Sequence, residues 1–461
     1  MRSIVHDTTL VTPAGREVRT LAKHSLVFED GRVTALAPAA ELQDRVDRGE
    51  FDTVIPGAAC ITIPGLVNTH HHLYQSLTRC LRDVQDERLF GWLLKLYERW
   101  RHLDYRAVNL AAKVSIAELL LHGATTTSDH FYMLPPHADV RMEAVLDAAA
   151  ALGIRLHLCR GSMSLGQSGG GLPPDDCVER DADILADCVR VLDAYHDPRP
   201  YALRRIDLAP CSPFSVSREL LRDTRQLARE RGVLLHTHLA ETREEEAFCV
   251  EKFGRRPVQF LAELDWLGPD VYLAHCVYAD DEEIGLLART RTGVSLCPMS
   301  NMRLGSGLSP IGRMLAAGVR AGLGLDGSSS NDGGNVLAEA RQALLVARAT
   351  TACENSGAPL LPVVEAFKLA TSGGAACLNR PELGHLNVGA AADFAMFRRD
   401  DVALAGAAAQ DPLAALVLCD PPRAERVFVA GREVVRDGRI VGLDETALGA
   451  EFNDLVAARF R

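Results

Sequence analysis

Eight short apolar runs, each followed by a stretch of helical pattern, recur between residues 66 and 326, and this alternation limits the fold more than any other feature. The runs lie near residues 66–72, 124–130, 154–160, 205–211, 233–239, 271–275, 293–297 and 319–326. Between them, apolar residues return at helical spacing, as over 107–122, 140–152 and 218–231. These three segments stop at Gly123, Gly153 and Gly232, where a helix C-terminus favours a residue free to turn left-handed. Eight β-then-α units predict an α/β chain folded as a (β/α)8 barrel of the TIM type. An open doubly wound sheet would want a glycine-rich phosphate loop after the first strand, and none is present.

The two ends of the chain follow a different grammar. Residues 1–62 read as short β segments broken by turns such as Glu29-Asp30-Gly31, and residues 380–461 repeat the pattern around Asp393-Phe394-Ala395-Met396-Phe397 and Arg436-Asp437-Gly438. Neither piece is long enough to bury a sheet alone, so the two are expected to form one small β-sandwich domain beside a catalytic barrel over 63–379. With 50 basic against 61 acidic residues, the net charge of −11 argues against nucleic acid or an anionic membrane as a partner. Twelve cysteines without a C-x-x-C pair read as reduced, mostly buried thiols and suggest a cytoplasmic protein. No signal-like segment and no run of about 18 apolar residues point to secretion or a membrane.

In such a barrel, chemistry collects where the strands end. The first run ends in His70-His71-His72, the fifth in His236-Thr237-His238-Leu239-Ala240-Glu241, the sixth in His275 and the eighth in Asp326-Gly327. Strand side chains alternate between faces, so His70 and His72 project together, as do His236 and His238. A lone His275 would usually be a core histidine, and a lone Asp326 before glycine a turn residue. Imidazoles and carboxylates at four strand ends of one barrel point instead to a metal site. The zinc motifs of metalloproteases and of nucleic-acid-editing deaminases are both absent.

The ordered set Pro64-Gly65-x-x-Asn68-x-His70-x-His72, His238-x-x-Glu241, His275-Cys276 and Asp326-Gly327-Ser328-Ser329-Ser330-Asn331-Asp332 resembles the amidohydrolase superfamily, in its purine and aminotriazine deaminase branch. The terminal β segments, including Gly389-x-x-Ala392-Asp393, also look like that family's sandwich. Within the branch, residues 70–79 and 89–93 are most similar to deaminases of 8-oxoguanine, with hydroxyatrazine-type aminohydrolases next.

The resemblance implies that His70, His72, His238 and Asp326 hold one Zn2+ per subunit, with Fe2+ chemically possible. Relatives with two ions use a lysine at the end of the fourth strand; here that end reads Asp207-Leu208-Ala209-Pro210-Cys211, so one ion is expected. Glu241 would move protons to and from the substrate, and His275 and Asp326 would hold and deprotonate the attacking water. Gln75, Trp92, Arg160 and Cys211 are the expected substrate contacts: Gln75 toward a base edge, Trp92 stacked on a ring, Arg160 donating to a carbonyl oxygen. His236 is expected to support the ligands, and His71, His122 and His157 to be structural or solvent-facing. The glycine-rich stretch 166–175 is a candidate lid.

The implied reaction is hydrolytic deamination of a small heterocyclic base by a homo-oligomeric enzyme, 8-oxoguanine giving urate and ammonia. Guanine, isocytosine-type bases and hydroxylated aminotriazines carry the same N=C–NH2 unit and stand as alternatives, as does hydrolysis of a C–Cl or alkylamine bond on a triazine. An inactive metal-binding protein of the same fold would be expected to lack the Glu241–His275 pair.

Overall fold

A computed structural model describes residues 1–354, 357–420 and 423–460. Its centre is a closed barrel of eight parallel strands in sequential order. They are β1 (Leu66–Asn68), β2 (Ala124–Phe131), β3 (Arg155–Ser162), β4 (Arg204–Pro210), β5 (Leu235–Leu239), β6 (Val271–His275), β7 (Gly293–Leu296) and β8 (Arg320–Leu323). Seven of the eight are entirely or almost entirely buried, as expected of parallel strands covered by helices on the outside. Helices Tyr105–Leu121, Glu143–Leu152 and Arg218–Arg231 follow the expected pattern, and Gly123, Gly153 and Gly232 turn left-handed at φ +85°, +79° and +66°.

The chain ends meet in one mixed sheet of nine strands. In hydrogen-bonded order it runs Arg439–Ile440, Arg432–Arg436, Arg426–Val429, Phe394–Arg398, Cys60–Pro64, Arg2–Ala14, Glu17–Glu29, Arg32–Pro38, with Thr53–Pro56 beside Arg2–Ala14. Phe28 and Phe428 lie four strands apart in that order, about 19 Å on a flat sheet. Their ring centroids are nevertheless 5.8 Å apart, with Phe394 within 5.3 Å and 4.5 Å of them. The sheet therefore curls so that its two halves face each other across an apolar filling, which is the expected sandwich.

The strand Cys60–Pro64 belongs to this sheet and runs through Gly65 straight into β1, so the barrel's first strand extends a sheet strand. Gly65 is required there, because a Cβ would lie 2.0 Å from Thr125 Oγ1. Not all of 380–461 is sheet: Phe452 and Leu455 of the helix Glu445–Arg459, and Leu413 and Leu416 of the helix Pro412–Leu418, join the barrel's hydrophobic core. Among the described residues no helix is long and apolar enough to cross a membrane.

Candidate metal centre and active site

Past the barrel ring, β1 and β8 continue into a two-residue parallel ladder in which Asp326 pairs with His71 and Gly327 with His72. The Asp326 amide donates to the His70 carbonyl (3.0 Å), fixing the carboxylate beside the two histidines. His275 and Asp326 take left-handed backbones at φ +74° and +63°. Such a conformation costs roughly 1–2 kcal/mol in a residue with a Cβ, and backbone strain of this kind gathers at functional sites. Gly324 abuts the first ligand strand: a Cβ there would stand 2.6 Å from His70 Cβ.

The Nε2 atoms of His70 and His72 lie 3.5 Å and 3.2 Å from Asp326 Oδ1, and those of His72 and His238 lie 3.1 Å apart. Which of these nitrogens carries a proton follows from the other side of each ring. His72 Nδ1 meets the His130 carbonyl (2.7 Å) and His238 Nδ1 the Cys211 carbonyl (2.7 Å). A carbonyl only accepts, so both Nδ1 atoms hold the hydrogen. His236 Nδ1 likewise donates to the Tyr272 carbonyl (2.7 Å), leaving its Nε2 to accept from His70 Nδ1 (2.8 Å). In the neutral rings all three Nε2 atoms of His70, His72 and His238 are therefore bare lone pairs. Burial keeps His70 and His238 neutral, holding both well below the ordinary histidine range.

The His72 lone pair thus faces that of His238 at 3.1 Å and the Asp326 carboxylate at 3.2 Å, with His70 3.5 Å from the same oxygen, an arrangement that repels itself unless a cation lies between. His70 Nε2 is buried without a hydrogen-bond partner. His72, His70, His238 and Asp326 fit a divalent metal, their tautomers set in advance by second contacts as metal-binding histidines require. Asp326 Oδ2 accepts from Ser300 Oγ (2.5 Å), which leaves Oδ1 toward the cluster. His236, stacked on Tyr272 at 4.0 Å, supports His70 as expected.

His275 also lies within 4.8 Å of His70, His238 and Asp326, measured between ligating atoms, yet its tautomer differs. Its Nδ1 accepts from the Asn301 side-chain amide (3.0 Å), whose oxygen accepts from Ser309 Oγ (3.4 Å). The ring hydrogen is then on Nε2, 3.6 Å from Glu241 Oε2. His275 thus presents a hydrogen where the Nε2 atoms of His70, His72 and His238 present lone pairs, and burial lowers its pKa to about 4. Glu241, 4% exposed, accepts from Ser306 Oγ (3.4 Å). Burial first, then the charges of Asp326 and Glu245, push its carboxyl well above the ordinary range, which favours the protonated form.

A cavity opens on this cluster. Gln75, Trp92 and Cys211 line it, together with Tyr97, Tyr132 and Phe214. Arg160 is not among them, which corrects its expected role as a carbonyl donor. The neighbouring Cys159 faces the barrel interior, where it meets Ser128 and Tyr272, so alternation turns Arg160 outward. There it is tied to Asp187 (2.6 Å) and Glu179 (2.7 Å). His157 sits deep in the barrel, bonded to Asp207 (3.0 Å) and Arg380 (3.1 Å), and His71 and His122 also stay off the cavity. The 166–175 stretch fastens to a cavity wall, since the Leu172 amide donates to the Phe214 carbonyl (3.3 Å).

Sequence reasoning missed Ser300 and Asn301, on the short helix Pro298–Arg303 after β7, as well as His130, Tyr97 and Tyr132. A signal for the first two existed: Cys297-Pro298-Met299-Ser300-Asn301 places polar residues just past a strand end, as at the other four.

A profile of the amidohydrolase family matches residues 61–434. The chain is 44% identical over 437 residues to the 8-oxoguanine deaminase of Pseudomonas aeruginosa, 95% of each chain being covered. It is 38% identical over 390 residues to the hydroxydechloroatrazine ethylaminohydrolase of Pseudomonas sp. strain ADP, covering 84% of this chain and 80% of that one. Among solved structures, an atrazine chlorohydrolase from Arthrobacter aurescens complexed with zinc superposes with a TM-score of 0.92 at 33% identity, over 98% of this chain and 100% of that one. The protein is a member of the amidohydrolase family.

Proposed function

We propose that this hydrolase removes the amino group of a free oxidised purine, 8-oxoguanine, to give urate and ammonia. When bound to His70, His72, His238 and Asp326, a divalent ion lowers the pKa of a coordinated water toward 7 and so supplies hydroxide at neutral pH. Glu241, whose protonated form burial favours, donates to the ring nitrogen beside the amino-bearing carbon and makes that carbon more electrophilic. His275, with its hydrogen on Nε2, donates to the oxygen that has added to that carbon. Glu241, now ionised 3.6 Å from His275, takes the proton of the hydroxyl that has added and delivers it to the amino group as the C–N bond breaks, which leaves a carbonyl and releases neutral ammonia.

The observation that carries this reading is the pairing, in one cavity, of a preset cluster of three histidines and one aspartate with a buried Glu241 that stands 3.6 Å from His275. An inactive scaffold would have no use for that acid. The identity to an 8-oxoguanine deaminase supports the choice of base. The similarity to an ethylaminohydrolase favours a second reading, an alkylamine leaving group on a hydroxylated triazine. An ammonia-release assay over 8-oxoguanine, guanine, isocytosine, S-adenosylhomocysteine and hydroxyatrazine separates them. We expect 8-oxoguanine to dominate by kcat/KM, and ethylamine released from hydroxyatrazine at a higher kcat/KM would overturn the assignment.

The same reading includes one zinc per subunit, consistent with the absence of a lysine at the end of β4 and with a zinc-bound structural neighbour. It also includes a homo-oligomeric cytoplasmic enzyme, in keeping with twelve cysteines none of which is cross-linked. Metal analysis and sedimentation check these two points.

A further inference from the structure

The helix Leu89–Trp100 roofs the cavity with one face, on which Leu89, Trp92, Leu93, Leu96, Tyr97 and Trp100 are buried. Three polar aromatic atoms lie on that face, and they are treated differently. Trp100 does not line the cavity, and its Nε1 donates to Thr78 Oγ1 (3.1 Å). Trp92 and Tyr97 do line it, at 3% and 1% exposure. The Trp92 Nε1 has no partner, and the Tyr97 hydroxyl makes no hydrogen bond with any described residue. Chain-facing polarity on this helix is satisfied, whereas cavity-facing polarity is left open.

A buried donor without a partner is costly, so the Trp92 Nε1 marks where a ligand brings an acceptor, and the unpaired Tyr97 hydroxyl belongs to a residue lining the same cavity. Tyr97 lines the cavity together with Tyr132 and Cys211, at the ends of β2 and β4. The proton-transfer groups Glu241, His275 and Asp326 come from the ends of β5, β6 and β8. Resting on the reading above, an 8-oxoguanine whose amino-bearing C2 sits at the cluster, with a neighbouring ring nitrogen at Glu241, turns the opposite end of its long axis away from them. That end carries the oxygen on C8, which guanine lacks.

We infer that the Tyr97 hydroxyl and the Trp92 indole N–H donate to the C8 oxygen of the bound base, making this helix the element that tells an oxidised purine from guanine. Burial also keeps the Tyr97 phenol well above its ordinary pKa, so it stays a donor at any working pH. Trp92 then acts through its edge as well as through its ring face.

The test uses the metal-loaded full-length enzyme and the variants Tyr97→Phe and Trp92→Phe, each of which removes a donor while keeping an aromatic ring. The quantity read is the ratio of kcat/KM for 8-oxoguanine over guanine. Tyr97→Phe is expected to lower it about 10–100-fold, as loss of a hydrogen bond built for one substrate does. Inhibition by urate, which keeps the C8 oxygen, should weaken relative to inhibition by xanthine, which lacks it. A ratio unchanged within about 3-fold in both variants, with urate and xanthine affected alike, would overturn the inference. Should Tyr97→Phe fail to fold, Trp92→Phe reads the same two ratios. A wild-type enzyme that releases no ammonia from 8-oxoguanine refutes the substrate reading itself, and this inference with it, before any variant is compared.

Discussion

Glu241 is the residue on which the proposed chemistry turns most directly. Replacing it with glutamine keeps its size but removes the transferable proton, and the metal set of His70, His72, His238 and Asp326 is untouched. Glu241→Gln should therefore retain one metal per chain while losing about 10²–10⁴-fold in kcat, measured by metal analysis beside ammonia release. The sign of its pH dependence follows from its raised pKa: the acid form is active, so kcat/KM should fall as rising pH strips the carboxyl. A rate that rose there would contradict its role as the donor. The ligand residues were legible in the sequence because each stands at the end of an apolar run, where alternation decides its face. Arg160 stands at such an end too, one step out of phase with the interior, and phase at a strand terminus depends on register that the sequence does not display. Asn301 left only a weak trace, a polar residue just past a strand end, and only the fold puts its amide 3.0 Å from His275.

At the scale of elements, the loops after the strands do more than connect. The short helix Pro298–Arg303 grips two groups of the cluster at once, Asp326 through Ser300 and His275 through Asn301. After β5, the helix Arg243–Phe253 reaches back to brace the segment that carries Glu241: Glu245 accepts from the amides of Ala240 and Glu241, both at 2.8 Å. Burial raises the Glu245 pKa to about 7, only partly offset by those amide hydrogen bonds. The folded chain then binds a proton more tightly at Glu245 than the unfolded chain, whose value is near 4.5. This contribution to stability is complete below pH 4.5 and is lost as pH rises through 7, on the order of 3 kcal/mol. Denaturant unfolding of wild type and Glu245→Gln at pH 5 and pH 8 should show the wild type losing more stability across that window. Equal losses would remove Glu245 from the account. Helix ends at Gly153 and Gly232 were readable from local chemistry, while the left-handed turns at His275 and Asp326 were not, because residues with a Cβ give no such signal.

Across the whole molecule, the barrel and the terminal sheet are joined by buried charge. Arg155, at the start of β3, makes a two-pronged ion pair with Asp393 at 2.9 Å for both contacts, and neither side chain is more than 3% exposed. Asp393 also accepts from the Ala430 amide (2.7 Å), and Arg155 donates to the carbonyls of Tyr201 and Ala202. Removing one partner strands the other in a dry interior, so Asp393→Ala should cost about 3–5 kcal/mol. Calorimetry checks this, and because the pair lies far from the metal cluster, kcat of the folded fraction should change little. A loss below about 1 kcal/mol would mean that water reaches the site. The repeated turn grammar at both termini announced their partnership, but not the arginine that fastens it, since one arginine on a strand resembles any other.

The way the two ends share one sheet has a consequence for how the chain is made. The strand Cys60–Pro64 pairs on one side with the early strand Arg2–Ala14 and on the other with Phe394–Arg398. On the ribosome the first neighbour is present at once, but the second is synthesised only after the entire barrel. At about 5–20 residues per second that delay is on the order of tens of seconds. Throughout it the nascent protein carries an unpaired strand edge, the kind of surface that invites aggregation and that chaperones cover.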